Sequence, residues 1–204
     1  MRGLGSVAAA VLLLGPACAH AQVLTDTSNG TLTAVVSFTV NPGTSNSPTS
    51  NQVQFRIRSN NAAGYNIVAS TMYSVTPSAP DDGGRAIAAS DIGVGITSLV
   101  LRSNVITPRT DVIAPGFDYD PSGVTAVNGL TPYTGMASGQ ATVEDLVNNP
   151  NIKILNGPQI HATSQSTAET DNYITVTMTL ALLPQYFTPG TFTAVITLTM
   201  GNGQ

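Results

Sequence analysis

The chain has 204 residues, only 9% of them charged, and a formal net charge of −4. So acidic a chain, with seven Lys and Arg residues, lacks the basic footprint that nucleic acid or an anionic membrane surface requires, and both are excluded as expected partners. Its one cysteine, Cys18, excludes a disulfide framework or a cysteine-rich metal site.

The first 21 residues read as a secretory signal peptide: Arg2 is the positive n-region, Val7 to Leu14 the apolar core, and Ala19-His20-Ala21 a small-x-small site cleaved before Gln22. That apolar run is far shorter than the roughly 20 residues a bilayer-spanning helix needs. Cys18 is not set in a lipobox, because Gly15 stands where Leu is wanted and Pro16 follows. We therefore expect export, with residues 22–204 forming a single domain free of cysteine, located outside the cell, on its surface or in a bacterial periplasm. Removing the leader leaves six basic against 11 acidic residues, a charge of −5.

Along the expected mature chain, Gln22 to Gly30 is a polar lead-in ending in the turn dipeptide Asn29-Gly30. Thr31 to Val40 alternates, with Leu32, Ala34, Val36, Phe38 and Val40 set against Thr31, Thr33, Val35, Ser37 and Thr39. Period two predicts a strand buried on one side. Asn41 to Asn51 has no apolar side chain and two prolines, and reads as an exposed loop. Gln52 to Arg58 is a second strand, Asn60 to Gly64 a turn, and Tyr65 to Ala69 a third strand running on through Met72 to Val75.

Pro77 to Gly84 marks another loop. Asp91 to Leu101 is a strand whose Gly93 and Gly95 suit a bulge or the close approach of another backbone. The proline-rich region Asn104 to Thr142 predicts a long crossing connection with short strands near Asp111 to Ala114 and Gly123 to Val127. Thr142 opens the one helix, with Asp145 at the capping-box position and Asn149-Pro150 stopping it. Asn151 to Leu155 and Gln159 to Ala162 are short strands, and Ser164 to Asp171 is a polar loop.

Two long alternating runs close the chain, Tyr173 to Leu183 and Thr191 to Met200, joined through Pro184 and Pro189, where strand pairing must stop. The joint predicts a hairpin or a crossing between sheets. Seven to nine strands with one short helix predict an all-β, immunoglobulin-like antiparallel sandwich.

Residues able to carry chemistry are few. His161 is the single histidine beyond the leader, and a catalytic or ligating histidine needs partners. Gly135-Met136-Ala137-Ser138-Gly139 places serine one position late for a nucleophile elbow. The two glutamates, Glu144 and Glu169, fall on the helix and in a polar loop, with nothing to bring them together as a glycosidase pair. We expect no catalytic residue, no organic cofactor and no enzyme activity. Asp118-Tyr119-Asp120-Pro121-Ser122-Gly123 opens like a calcium loop, with Asp118, Asp120 and Ser122 as oxygen ligands, but position 12 is Gly129 where a bidentate glutamate belongs. Weak calcium binding is the metal-site expectation. Tyr65, Tyr73, Tyr119, Tyr133 and Tyr186 offer aromatic faces for a glycan, which makes a secreted carbohydrate-binding module the alternative to a structural role.

The ending Pro189-Gly190-Thr191-Phe192-Thr193-Ala194-Val195-Ile196-Thr197-Leu198 resembles the closing strand of bacterial secreted immunoglobulin-like modules and pilin-like surface proteins. The resemblance covers about a dozen residues and carries no functional residue. It implies a structural or adhesive cell-surface role, as in a pilus- or matrix-type subunit that self-associates or meets other surface proteins through strands. The chain departs from many pilus subunits in lacking their cysteine pair.

Overall fold

The structure is a computed structural model and describes residues 22–25, 31–40, 50–77, 86–118, 141–162, 172–182 and 190–202. The expected leader, the loop expected over Asn41 to Asn51 as far as residue 49, the strand expected at 123–127 and the polar loop at 164–171 lie outside those residues.

Among the described residues nine strands build two layers: β1 (Gln22–Thr25), β2 (Thr31–Val40), β3 (Ser50–Arg58), β4 (Tyr65–Pro77), β5 (Ile92–Leu101), β6 (Val112–Ile113), β7 (Ile152–Gly157), β8 (Ile174–Leu182) and β9 (Gly190–Asn202). One sheet has the order β1-β3-β8-β5, the other β2-β9-β4-β7-β6. The protein is a β-sandwich. The alternation read from the sequence becomes its core: Val53, Phe55 and Ile57 of β3 and Ile174, Val176, Met178 and Leu180 of β8 join one cluster with Phe192, Ala194, Ile196, Leu198 and Met200 of β9 and Tyr65, Ile67 and Ala69 of β4. Inward side chains of both sheets meet in that one cluster, the core of a two-sheet sandwich.

β8 and β9 lie in different sheets, so the C-terminal pair is a crossing and not a hairpin. β9 is the most embedded strand of its sheet, paired along β2 on one side and along β4 from Tyr65↔Asn202 to Pro77↔Gly190 on the other. A short helix α1 (Val143–Asn148) sits where expected, with the Thr142 hydroxyl accepting from the Asp145 N–H at 3.3 Å and the Asp145 carboxylate accepting from the Thr142 N–H at 2.7 Å. That reciprocal pair satisfies two helix-end donors. Val143 and Leu146 turn its apolar side into the core.

Three expectations need correction. The loop read over Asn41 to Asn51 stops short of its expected end, because Ser50 and Asn51 already pair with Ala181 and Leu180 as the start of β3. The segment read as a polar lead-in contains β1, which runs parallel to β3 with Gln22↔Phe55 and Thr25↔Arg58, so the sandwich is not wholly antiparallel. Four residues are too few for periodicity to register, and Leu24 is fully buried. Gln159 to Ala162 is not a strand: the Ile160 and His161 N–H groups both donate to the Ser59 carbonyl, at 2.9 and 3.1 Å, where no ladder continues. β5 does carry the expected irregularity, a register shift between Ile96 and Ser98, and begins after one turn of 3-10 helix at Ala89–Asp91.

Candidate functional site

Each sheet has two edges, and they differ in how they are closed. β1 has four residues and β6 two, lengths that present little unpaired backbone. β5 is covered over its first half. The Val94 N–H donates to the Ala141 carbonyl at 2.9 Å and the Ile96 N–H to the Phe117 carbonyl at 2.7 Å, with bridges Gly93↔Thr142 and Ile96↔Asp118. Gly93 is therefore paired on both edges of its strand, with Ala181 and with Thr142.

β2 is the exception. It is ten residues long, pairs with β9 throughout, and has no strand on its other side among the described residues. Natural edges are guarded by charge, proline, bulges or brevity. β2 has no charged residue, no proline and no register shift against β9. Its exposed Thr33 lies opposite Thr197, and the half-buried Val35 opposite Val195. β4 carries the same rows on, with Ser70 opposite Thr197 and Met72, 74% exposed, opposite Val195. The outer face of this sheet is thus hydroxyl-rich with one apolar row, Val35, Val195 and Met72.

Two polar clusters among the described residues lie elsewhere. In the first, Arg109 and Asp111 form an ion pair of 2.8 Å with side chains only 3% and 8% exposed. Arg109 Nε donates to Asp111 Oδ2 at 2.9 Å, and Arg109 Nη1 and Nη2 donate to the Gln159 and Pro158 carbonyls at 2.7 and 3.1 Å. The Tyr65 hydroxyl donates to Asp111 Oδ1 at 2.8 Å. Burial, reinforced by the Asp111 carboxylate, pushes the Tyr65 hydroxyl pKa well above the usual phenol value. Every strong donor here already faces an acceptor, so the cluster braces the segment around Pro158 against the start of β4 and holds no exposed nucleophile or base.

In the second, Tyr173 lies between two guanidinium groups, Arg56 at 4.3 Å and Arg102 at 5.2 Å from its ring centroid, and accepts from Arg102 Nε at 2.7 Å. These arginines come from β3 and from the residue after β5, so the ring joins three strands at one end of the four-stranded sheet.

Those residues singled out by sequence that fall among the described residues do not converge. Asp118 is exposed at its bridge to Ile96, while Asp120 and Ser122 lie outside the described residues. Among the described residues no group of three or more His, Cys, Asp or Glu side chains is placed to hold a metal ion. His161 is buried, and Glu144 is exposed on α1. Tyr65 is consumed by the brace. Tyr73 is 46% exposed and stacks on Phe192 with centroids 5.7 Å apart, and Tyr119, Tyr133 and Tyr186 lie outside the described residues. Sequence reasoning passed over the brace and the arginine pair on Tyr173. An Arg-x-Asp spacing at 109–111 was a signal for the former; the latter joins residues with no local pattern.

No described helix is long and apolar enough to cross a membrane. Comparison with protein-family models, with curated proteins and with solved structures finds no match to this chain.

Proposed function

We propose that the chain is an exported, non-catalytic structural or adhesive component of a bacterial surface or matrix, associating with copies of itself or with other surface proteins through sheet edges. The observation that carries the reading is the long, uncharged edge of β2, on whose outer side no strand lies among the described residues. An edge of that kind is a template for strand pairing, and selection against unwanted association ordinarily removes it. The leader pattern at 1–21 and the neutral, hydroxyl-rich outer face support a role outside the cell.

Sedimentation velocity of the purified protein across a wide concentration range tests this. Concentration-dependent self-association is expected, and a strict monomer that also captures no other surface protein would overturn the reading. N-terminal mass analysis of the exported chain is expected to begin at Gln22; a retained or lipidated Cys18 would contradict the processing.

A further inference from the structure

The edge that supports the proposed association is also self-complementary. Over residues 32–38 the sequence is Leu-Thr-Ala-Val-Val-Ser-Phe. Read outward from Val35 in either direction, the pattern is small or branched apolar, then hydroxyl, then large apolar: Ala34, Thr33, Leu32 one way and Val36, Ser37, Phe38 the other. We propose that β2 pairs antiparallel with β2 of a second copy of this chain about a two-fold axis at Val35, joining two five-stranded sheets into one of ten strands.

A two-fold interface is isologous: each position i meets j and j meets i, so it demands a strand whose residue classes are symmetric about the axis. With Val35 opposite Val35 of the second copy, Thr33 faces Ser37, Ala34 faces Val36, and Leu32 faces Phe38. By residue type the register sets hydroxyl positions opposite hydroxyl positions and apolar opposite apolar, the combinations that stabilise cross-strand neighbours. Sliding the register by two residues either way sets Val35 against Thr33 or Ser37 and breaks that match. A slip of one reverses which face each side chain occupies, which the buried Leu32 forbids.

The occupant is a second copy because the edge carries no charge that would select a different partner. The remaining edges of the described fold are shorter or interrupted: β1 and β6 are short, and β5 is covered by residues 117–118 and 141–142 over Gly93–Ile96 and broken by a register shift between Ile96 and Ser98, which leaves only its last four residues as a regular free edge. An axis perpendicular to the sheet sets both hydroxyl-rich outer faces on the same side. The apolar row Val35, Val195 and Met72 of one copy then continues straight into that of the other.

This assignment rests on the self-association reading, and the experiment separates the two. Val35→Lys and Val35→Glu each bring like charges face to face on the axis, which is expected to weaken the dimer by roughly tenfold or more. An equimolar mixture of the two variants restores a dimer, because Lys then meets Glu. In a Cys18→Ser background, Val35→Cys is expected to form an intermolecular disulfide under mild oxidation. Thr33→Cys does not, since its counterpart lies about 14 Å away along the strand, beyond disulfide reach. Circular dichroism confirms that each variant is folded, and the cysteine pair decides the matter should the charged variants fail to fold. Wild-type association unaffected by Val35→Lys, or Thr33→Cys linking as readily as Val35→Cys, overturns this register and leaves the self-association reading standing. A strictly monomeric wild type sinks both.

Discussion

The Tyr65 hydroxyl reaches Asp111 Oδ1 at 2.8 Å across 46 residues of sequence, and Arg109 closes on the same carboxylate from the other side. Asp111 therefore accepts from a phenol and a guanidinium at once, in a site with little access to water. An anion held by two donors in low dielectric is well supported only while both remain. Arg109→Ala is expected to destabilise the fold by about 3–5 kcal/mol, because it strands a buried carboxylate. Urea unfolding followed by circular dichroism measures this, and a loss under about 1 kcal/mol would show that the pair is solvated instead.

The same contact makes stability depend on alkaline pH. The folded-state pKa of Tyr65 is raised above its unfolded value of about 10, first by burial and then by the Asp111 charge. Its contribution is therefore fully present below the unfolded pKa and is lost as pH rises beyond about 10. Melting temperature is expected to fall more steeply above that pH in the wild type than in Tyr65→Phe. Parallel curves for the two proteins would refute the assignment.

Gly157 is required by the brace. A Cβ at that position would overlap Asp111 Oδ1, and a Cβ on Gly64, whose φ is +84°, would overlap the Gly157 carbonyl oxygen. Gly157→Ala is expected to cost about 1–3 kcal/mol by overpacking. Gly64→Ala adds the left-handed backbone penalty of about 1–2 kcal/mol. Thermal unfolding of the two single variants checks both, and either substitution leaving the melting temperature unchanged would contradict the packing described.

Tyr173 serves two arginines by different means. Tyr173→Phe removes the acceptor for Arg102 Nε but keeps the aromatic face over which Arg56 lies, so it should cost only about 1 kcal/mol. Tyr173→Leu removes the face as well, and because the ring is buried a further loss of about 1–2 kcal/mol is expected. Equal destabilisation by the two variants would mean that the ring contributes through apolar burial alone.

Much of this architecture is written locally. The alternation of Thr191 to Met200 and of Ile174 to Leu182 dictates strands because successive side chains must leave a pleated backbone on opposite faces; on β9 the threonine side is the wetter one, whereas on β8 Thr177 and Thr179 are buried as well, which periodicity does not reveal. The capping pair Thr142 and Asp145 starts α1 for an equally local reason, since helix-end donors are met by side chains three residues apart. What these residues cannot express is which strand lies beside which. Leu24 enters the core only because Gln22–Thr25 lies parallel to Phe55–Arg58. Asp111 is supported only because the fold brings Tyr65 to it, and β2 is an edge only because β9 is shared between β2 and β4. Periodicity is a property of neighbouring dihedrals and is legible in sequence; adjacency in a sheet is won by burying whole faces across distant segments, and is decided only when the chain closes on itself.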